Sequence, residues 1–408
     1  MSIAFTYMGT KRRIANHVAE IIDGARRGPL LDLFAGMSSV GLAVMPRRNL
    51  WCNDVQHFAH TVAKATFTSR TAPLLTAAKT LAILDFAARN QSKLKLQFSD
   101  ELSAEDDLLN SSNLRKVKNF NSELVRKCCS RTARAARTES RRKPDRTPYS
   151  LFTVTYSGGY IGLRQAIDID SFRFAIDELK RSGQIDAEQH RWMLLALCKA
   201  LAKVANTTGH FAQYLDVKEE TLTRFLAKRR RAIFREWVAG MTELTPAGTS
   251  AWRHENRAFR QDAKALLRKL HSGDQLPSVV YADPPYTADH YSRYYHLWET
   301  LLRYDYPEPS GHGLYRADRF ISHFSIKTKV EQEFRSLITA ASSLGVELVL
   351  NYPENGLLAN PRRTLIKLLR QSFKHAEIAA AIAHQHSTLG ASKGVEKEDV
   401  TELIFYAH

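Results

Sequence analysis

Short apolar segments that run into an acidic residue occur near both ends of this chain, and they constrain its fold most. Segments 29–34 and 49–53 are typical of strands; a loop of small residues and a helix at 40–45 follow the first, and Asp54 follows the second. The alternation returns at 258–261, 278–282 and 346–350, and segments 379–384 and 401–407 predict a terminal hairpin. Apolar strands that alternate with helices indicate a mostly parallel sheet. We therefore predict an α/β, Rossmann-like sheet with helices on both faces.

A long stretch without this alternation separates the two α/β segments. Residues 72–88, 186–205 and 219–241 have apolar side chains at helical spacing, whereas residues 115–146 carry many arginines and few large apolar side chains. We predict a discontinuous α/β domain, residues 1–70 and 255–408, with a mostly helical insertion at residues 71–254. A segment with little apolar surface cannot form a core alone, so we expect a mobile basic loop at about 115–148.

The charge of the chain favours a polyanionic partner. Lys and Arg total 59 against 42 Asp and Glu, a formal net charge of +17. Cations near phosphates release condensed counterions, although a basic protein without a nucleic-acid partner is the alternative. The four cysteines form neither a CxxC pair nor a disulfide pattern, and we identify no signal peptide and no segment long enough to span a membrane. We expect an intracellular, cytoplasmic protein, located at the nucleoid if its polyanionic partner is DNA.

The most specific motif is Asp283-Pro284-Pro285-Tyr286, which directly follows the apolar segment 278–282. Proline fixes φ and restricts the preceding residue, so this corner is rigid. Neither proline donates a backbone hydrogen bond, so the corner presents the Asp283 carboxylate and the Pro284 carbonyl as acceptors, which match the two donors of an exocyclic amine. Tyr286 adds a flat face on which a base can stack. The alternative is an ordinary turn that ends a strand.

Two further segments have residues that suit a nucleotide-like ligand. Asp32 to Gly41 runs from a strand into a glycine-containing loop, and glycine permits positive φ and close approach of a ligand. Asp54 closes the next strand, where a carboxylate can accept both ribose hydroxyls or, alternatively, cap a helix. Near the start of the chain, Lys11 follows Gly9 and suits the carboxylate of an amino-acid-like cofactor.

Together these residues resemble the Dam-like, D12 class of adenine-N6 DNA methyltransferases. The resemblance covers most of the discontinuous domain: Tyr7, Gly9 and Lys11 match the N-terminal AdoMet motif of the family, residues 32–41 its glycine-rich loop, and Asn53-Asp54 the acidic end of its second strand. Residues 259–263 are similar to the segment whose acid, Asp262 in this chain, faces the AdoMet adenine. Residues 387–394 and 402–404 resemble its final loop and hairpin. Where the family commonly has a second loop glycine, this chain has Ser38.

The resemblance implies an AdoMet-dependent methyltransferase that acts on N6 of an adenine flipped out of DNA at a specific sequence. Its catalytic residues would be Asp283, Pro284 and Tyr286. Its S-adenosyl-L-methionine site would comprise Tyr7, Gly9, Lys11, Asp32, Phe34, Gly36, Ser39, Asp54, Asp262 and Asp283. No metal and no membrane is implied. The implied partners are double-stranded DNA and a cognate restriction endonuclease or another defence-system component.

Two sets of residues are predicted to contact DNA. The segment after the proline corner is rich in rings and cations. We predict that it lines a flipped-base pocket, or contacts the DNA strand beside it, through Tyr291, Arg293 and Tyr294. The alternative is a helix that buries Tyr291, Tyr295 and Trp298 in the core. In the insertion, phosphate contacts are predicted at Arg134, Arg141, Arg142, Lys228, Arg229 and Arg230, which would otherwise be an ordinary solvated face.

Other functions remain open at this point. Cytosine N4 is also an exocyclic amine, so a cytosine-N4 or an RNA adenine methyltransferase could use the same acceptors. A catalytically inactive DNA-binding protein could keep the same fold. A Rossmann-type oxidoreductase is disfavoured because the chain has no complete GxGxxG fingerprint.

Overall fold

The structure is a computed structural model that describes Phe5 and residues 11–110, 113–143, 148–387 and 397–408. The strands within these residues, in chain order, are β1 (Leu30–Asp32), β2 (Leu50–Asn53), β3 (Arg257–Phe259), β4 (Val279–Ala282), β5 (Pro309–Ser310), β6 (Tyr315–Arg316), β7 (Glu347–Pro353), β8 (Ala376–Ser387) and β9 (Lys397–Ala407). β5 and β6 pair with each other, and the remaining strands form one sheet in the order β3-β2-β1-β4-β7-β9-β8.

The order in which the chain adds strands to this sheet reverses between β1 and β4. β3, β2, β1, β4 and β7 are parallel neighbours, whereas β9 runs antiparallel to both β7 and β8. The chain leaves β1 towards β2 and β3 on one side and resumes at β4 on the other side. Ligands of open α/β sheets bind at such a reversal, beyond the carboxyl ends of the strands. Asp32 ends β1 and Asp283 follows β4 at this point.

Both faces of the sheet are buried, and alternate side chains along each strand enter two separate cores. Leu30 and Val279 belong to the first core, and their neighbours Leu31 and Val280 belong to the second. Because the side-chain period of a strand is two residues, a sheet covered on both faces needs uninterrupted apolar strands. The predicted Rossmann-like α/β fold with helices on both faces is confirmed.

The helices outside the long interval between β2 and β3 cover the sheet. They are α1 (Ala15–Gly24), α2 (Ser39–Val44), α13 (Ala263–His271), α14 (Tyr291–Tyr294), α15 (His296–Arg303), α16 (Val330–Ser343) and α17 (Pro361–Ser372), with a 3-10 turn at His323–Ser325. α1 and α2 contribute Val18 and Val40 to the first core, whereas α13 and α16 contribute Leu266 and Phe334 to the second. The two faces are therefore covered by different helices.

The chain between β2 and β3 is helical wherever its described residues form helices or strands. Its helices are α3 (His57–Thr68), α4 (Ala77–Gln97), α5 (Ser99–Leu109), α6 (Leu114–Cys128), α7 (Arg131–Arg142), α8 (Leu163–Arg181), α9 (Ala187–Val204), α10 (Glu219–Arg229), α11 (Ile233–Glu243) and α12 (Ser250–His254). Leu195 of α9 and Trp237 of α11 lie in the same buried cluster as Leu30 of the sheet. The predicted division of the chain into two domains therefore remains a proposal.

Residues 115–148 differ from the mobile basic loop that the sequence predicts, because they contain α6 and α7. Val117 and Leu124 lie two turns apart on α6 and are buried against apolar side chains of other insertion helices. The buried Arg137 of α7 donates hydrogen bonds to the carbonyls of Cys128 (2.9 Å) and Val154 (3.0 Å). Neighbouring helices supply the apolar surface that this segment lacks. Residues 144–147 lie outside the described part of the chain.

The boundaries of other predicted elements shift by a few residues. The terminal hairpin is confirmed as β8 and β9. The helical stretch predicted at 219–241 consists of two helices, α10 and α11, separated at residues 230–232 without a proline or glycine. None of the helices in the described ranges combines the length and apolar character that a bilayer crossing requires.

Candidate functional site

A cavity of about 460 Å³ opens at the reversal between β1 and β4. Its walls come from the loops after β1, β2, β3 and β4, which parallel pairing brings to one edge of the sheet. The predicted site residues among its lining are Lys11, Asp32, Phe34, Gly36, Ser39, Asp54, Asp262, Asp283, Pro284, Tyr286 and Tyr291. Tyr7 and Gly9 lie outside the described residues.

Backbone pairing on both sides of β4 holds the proline corner. β4 pairs with β1 and β7, and the carbonyl of Tyr281 accepts a hydrogen bond from the backbone N–H of Leu33 at 2.9 Å. After the corner, the carbonyl of Tyr286 accepts a hydrogen bond from the N–H of Leu357 at 3.0 Å. The corner is thus fixed at both of its ends.

A buried charge network surrounds Asp283. The Nζ atom of Lys11 lies 3.2 Å from Asp283 Oδ1 and 2.9 Å from Glu402 Oε1. The Nδ2 atom of Asn351 donates to Asp283 Oδ1 at 3.1 Å and to Glu402 Oε2 at 2.8 Å. Lys11, Asn351 and Glu402 are all buried. These four side chains form a closed ring, which we call the Asp283 ring.

Sequence reasoning missed two members of the Asp283 ring. Asn351 lies within the apolar strand β7, and Glu402 lies within the apolar strand β9. A polar or charged residue inside a buried strand needs a partner, and this was the available signal. The sequence gives no indication that both partners converge on the proline corner.

The Asp283 ring leaves one oxygen of Asp283 available. Lys11 and Asn351 both contact Oδ1, and the hydrogen bonds and ion pairs that the described residues make with Asp283 involve this oxygen and not Oδ2. Burial raises the pKa of Asp283 to about 6, and the nearby charge of Lys11 opposes that rise. Burial alone would lower the pKa of Lys11, but the carboxylates of Asp283 and Glu402 outweigh burial and raise it. At neutral pH, the site therefore contains an ionised carboxylate beside an ammonium.

Lys11 differs in its surroundings from the exposed cation that a cofactor carboxylate would need. Two carboxylates of the protein already contact its ammonium, which has three donors. Its Nζ atom also lies 4.9 Å from the centroid of the Tyr286 ring. The position of Lys11 suits the fixing of Asp283 and Tyr286, and a direct contact with cofactor stays a prediction.

The loop after β1 is tied to Asp54. Gly36 has φ of +48°, in the left-handed region, and its N–H donates to Asp54 Oδ2 at 3.0 Å. The N–H of Gln56 donates to Asp54 Oδ1 at 2.8 Å. Burial raises the pKa of Asp54 to about 6, although both hydrogen bonds lower it. Ser38, where the family commonly has glycine, also adopts the left-handed region, with φ of +47°.

Asn53 and Asp262 order the neighbouring loops. The buried Asn53 side chain donates to the carbonyls of Leu33 and Gln261, both at 3.1 Å, and accepts from the N–H of Gln261. Asp262 is the N-cap of α13, where its Oδ1 atom accepts hydrogen bonds from two backbone N–H groups at 3.1 Å. Asp262 thus has a structural role at the rim of the cavity.

Asp32 presents an unsatisfied buried oxygen. Its side chain is 2% exposed, and its Oδ1 atom has no hydrogen-bond partner among the described residues. Burial raises the pKa of Asp32 well above its usual range, and the nearby Asp283 and Asp54 raise it further. Buried acceptors are normally satisfied, so this oxygen suits a ligand that donates a hydrogen bond.

The segment after the proline corner only partly matches its predicted contact with DNA. Tyr291 lines the cavity. Arg293 is half-buried, lies 3.3 Å from Asp289, and stacks over the Tyr315 ring at 5.3 Å. Tyr294 is only 5% exposed and packs against His210, so the prediction that it contacts DNA is corrected. Its ring fills the core beneath the site.

On α7, the three predicted phosphate contacts are all exposed. Arg134 and Arg141 lie 3.3 Å and 3.7 Å from the carboxylate of Glu308. Arg142 is exposed in the last turn of the helix. These side chains keep the surface position that a phosphate contact needs.

The basic residues at the end of α10 are divided between surface and interior. Lys228 is half-buried, with its Nζ atom donating to the carbonyl of Ala205 at 2.7 Å, and Arg230 is exposed beside the carbonyl of Leu109. Arg229 is 7% exposed and donates to the carbonyl of Gly158 at 2.7 Å. This burial corrects its predicted phosphate contact. In the described ranges, no cluster of three or more His, Cys, Asp or Glu side chains is arranged to hold a metal ion.

Comparison with known proteins gives one family and several relatives. The family model for "D12 class N6 adenine-specific DNA methyltransferase" matches residues 250–355, which include the proline corner. Modification methylase LlaI of Lactococcus lactis subsp. lactis is 24% identical over 404 residues, and modification methylase StsI of Streptococcus sanguinis is 21% identical over 410 residues. Type II methyltransferase M.NlaIII of Neisseria lactamica is 28% identical over 192 residues, 47% of this chain and 50% of its own length.

The two longest alignments cover this chain more fully than they cover the relatives. Those to the LlaI and StsI methylases include 98% of this chain but only 54% and 51% of the relatives, so this chain spans about half their length. The match to the family includes β3, β4 and β7, together with the proline corner that follows β4. The resemblance predicted from the sequence is confirmed over residues 250–355, which match the D12 class of N6 adenine-specific DNA methyltransferases.

Proposed function

We propose that the protein is a site-specific DNA methyltransferase that modifies N6 of adenine in double-stranded DNA, with S-adenosyl-L-methionine as methyl donor. One observation carries this proposal: the Asp283 carboxylate lines the cavity at the sheet reversal, with Oδ1 held by Lys11 and Asn351. The family and the modification methylases similar to this chain support it. A cytoplasmic location is part of the proposal, because the proposed substrate is DNA.

The proposed role of the proline corner is to accept one hydrogen bond from each N–H of the adenine amino group. The lone pair of N6 is delocalised into the purine ring, so the amine is a poor nucleophile. Hydrogen bonds from N6 to Asp283 and to the Pro284 carbonyl localise this lone pair and stabilise the positive charge that develops on N6. Preorganised dipoles of this kind act where charge appears in the transition state. The rigid corner and the Asp283 ring hold both acceptors in place beforehand.

The residues of the cavity fit S-adenosyl-L-methionine. When bound, it supplies an activated methyl group. Asp54 would accept hydrogen bonds from its ribose hydroxyls, and the unsatisfied Oδ1 atom of Asp32 would accept one from another donor of the ligand. Gly36 and Ser39 line the same wall and leave room for the ligand at the backbone. These acidic groups also suit a ligand that carries a positive sulfonium.

The target adenine must leave the duplex to reach this corner, since N6 is inside a base pair. Tyr286 and Tyr291 line the cavity and offer aromatic faces for the extruded base. A volume of about 460 Å³ lies in the usual range for small-molecule sites. Stacking on aromatic rings contributes about 1–3 kcal/mol per base and helps to offset the cost of extrusion.

Nucleoside analysis after incubation with labelled S-adenosyl-L-methionine tests the reaction. Unmethylated double-stranded DNA should gain label in N6-methyldeoxyadenosine. Label in N4-methyldeoxycytidine, or incorporation into RNA but not DNA, would contradict the adenine assignment. A protein that binds DNA without any transfer would identify an inactive DNA-binding protein.

We expect the variant Asp283→Ala to lose methyl transfer and to keep its fold, because Lys11 retains Glu402 as an ion partner. Loss of one preorganised electrostatic contact typically costs about 10²- to 10³-fold in rate. Asp274→Ala, at an exposed position before β4, is the matched control and should transfer methyl groups at the wild-type rate. Near-normal methylation by Asp283→Ala would refute the assignment of this acceptor.

A role in restriction and modification is part of the proposal, since the similar proteins are named modification methylases. In that case, a cognate endonuclease would cleave the sequence that this protein protects. Mapping of modified adenines in the genome of cells with and without the gene would identify that sequence. Modification scattered without a common sequence would contradict site specificity.

A further inference from the structure

Two large apolar side chains project into solvent at the rim of the cavity. Phe320 is 40% exposed and Ile321 is 52% exposed, and both line the cavity that contains the proline corner. The other large apolar side chains that the structure exposes, such as Leu276, do not line it within the described ranges. Exposed apolar groups beside a binding site often mark contact with a partner. We call residues 319–324 the rim segment.

The rim segment is anchored on both sides of its exposed pair. The carbonyl of Phe320 accepts a hydrogen bond from Ser292 Oγ at 2.7 Å, which ties it to the segment after the proline corner. Phe324 is buried, and its ring packs edge-on against Phe34 at 5.6 Å and Phe334 at 5.1 Å. Phe320 and Ile321 therefore project from a fixed base.

The charge around the exposed pair suits a polyanion that also has an apolar interior. Residues 319–330 include Arg319, Lys327 and Lys329 and contain no Asp or Glu. Both lysines are exposed, whereas His323 lies 3.3 Å from the carboxylate of Glu333. A duplex presents phosphates on its outside and stacked apolar bases inside, so it matches cations that flank an apolar tip. If the rim segment only covered a small ligand, it would need the exposed apolar side chains but not the cations.

We propose that Phe320 and Ile321 form a wedge that enters the DNA base stack at the step that the target adenine leaves. This inference rests on the proposed function, which requires that base to leave the duplex. Extrusion opens a gap between the neighbouring bases, and apolar side chains such as Phe and Ile fill such gaps in DNA. The wedge stabilises the extruded state, while Tyr286 and Tyr291 receive the base on the cavity side.

Methylation of paired and unpaired target adenines tests the wedge. Once the wild-type sequence has been mapped, two oligonucleotide duplexes are compared: one with thymine opposite the target adenine and one with an abasic site there. Unpairing lowers the cost of extrusion. In the double variant Phe320→Ala/Ile321→Ala, we expect kcat/KM to fall roughly 10- to 100-fold on the paired duplex, and by less than about threefold on the abasic duplex.

The control variant Leu276→Ala changes an apolar side chain of similar exposure, located before β4. It should match the wild type on both duplexes. Calorimetric titration of S-adenosyl-L-homocysteine completes the experiment, since a wedge in DNA should leave cofactor affinity within about twofold of wild type.

Several outcomes would overturn the wedge while leaving the proposed function intact. The double variant could retain wild-type activity on the paired duplex, or lose activity equally on both duplexes. It could also bind S-adenosyl-L-homocysteine much more weakly, which would make the rim segment a cover for the cofactor. If the wild-type protein methylates neither duplex nor genomic DNA, the proposed function itself fails, and the wedge fails with it.

Discussion

Replacement of Lys11 by methionine tests the Asp283 ring without DNA or cofactor. Methionine has a similar length and no charge, so Lys11→Met removes the ammonium that lies 3.2 Å from Asp283 and 2.9 Å from Glu402. Two buried carboxylates then remain beside Asn351 without the Lys11 charge between them. Removal of one partner from a buried ion pair lowers the free energy of unfolding by about 3–5 kcal/mol. We expect a loss of about this size at pH 8.

The loss should shrink as the pH falls, and its sign follows from the pKa of Asp283. In the wild-type protein, burial raises the pKa of Asp283 to about 6, and Lys11 limits that rise. Without Lys11 the pKa rises further above the value of about 3.9 in an unfolded chain. Between these two values the folded state binds more protons than the unfolded state, so its stability increases as the pH falls. The deficit of Lys11→Met should therefore be smaller at pH 5 than at pH 8.

A double-mutant cycle gives the magnitude of the coupling. Urea denaturation at both pH values would measure the free energy of unfolding for wild type, Lys11→Met, Glu402→Gln and the double variant. In the double variant, Asp283 is the one member of the Asp283 ring that stays charged. We therefore expect it to recover at least about 2 kcal/mol of the stability that Lys11→Met loses, in the range of couplings between contacting residues. Lys374→Met, at an exposed position, is the matched control and should change stability by less than about 0.5 kcal/mol.

Two results would refute this reasoning. If Lys11→Met is as stable as the wild type at pH 8, the two carboxylates do not depend on its charge. If the effects of Lys11→Met and Glu402→Gln simply add at both pH values, the ring seen in the structure does not act as a unit.

Further predictions concern the cofactor, the pH and the basic surface. Asp54→Ala should weaken binding of S-adenosyl-L-methionine roughly 10- to 100-fold in calorimetric titration, since it loses hydrogen bonds to a charged group; unchanged affinity would remove Asp54 from the cofactor site. The single-turnover rate of methyl transfer should decline as the pH falls below about 6, where Asp283 becomes protonated, and a constant rate down to pH 5 would argue against an ionised acceptor. Arg229→Met should lower the free energy of unfolding by about 1.5–3 kcal/mol, because it loses a buried hydrogen bond to a carbonyl, and should leave the salt dependence of DNA binding unchanged. Arg142→Met should do the reverse and reduce the log–log salt slope by about one, and identical behaviour of the two variants would contradict this division.

Local sequence patterns were sufficient for the parts of the site that strands carry. An apolar run followed by Asp32, Asp54 or Asp283 predicts a strand and the acid at its end, and the structure has all three acids at one edge of the sheet. Parallel pairing alone is enough for this, because it aligns the carboxyl ends of neighbouring strands. The rigidity of the proline corner also follows from sequence alone, since proline restricts its own backbone and that of the preceding residue.

The tertiary structure determined the remaining features of the site and the insertion, because the burial and charge pairing of a residue depend on which distant residues pack against it. Lys11 and Glu402 are 391 positions apart and have no local pattern in common, yet their contact determines the surroundings of Asp283. Arg229 and Arg142 both belong to basic runs, but the structure buries one against a carbonyl and leaves the other in solvent. The segment that the sequence predicted as a mobile loop is helical because other helices supply the apolar surface that it lacks.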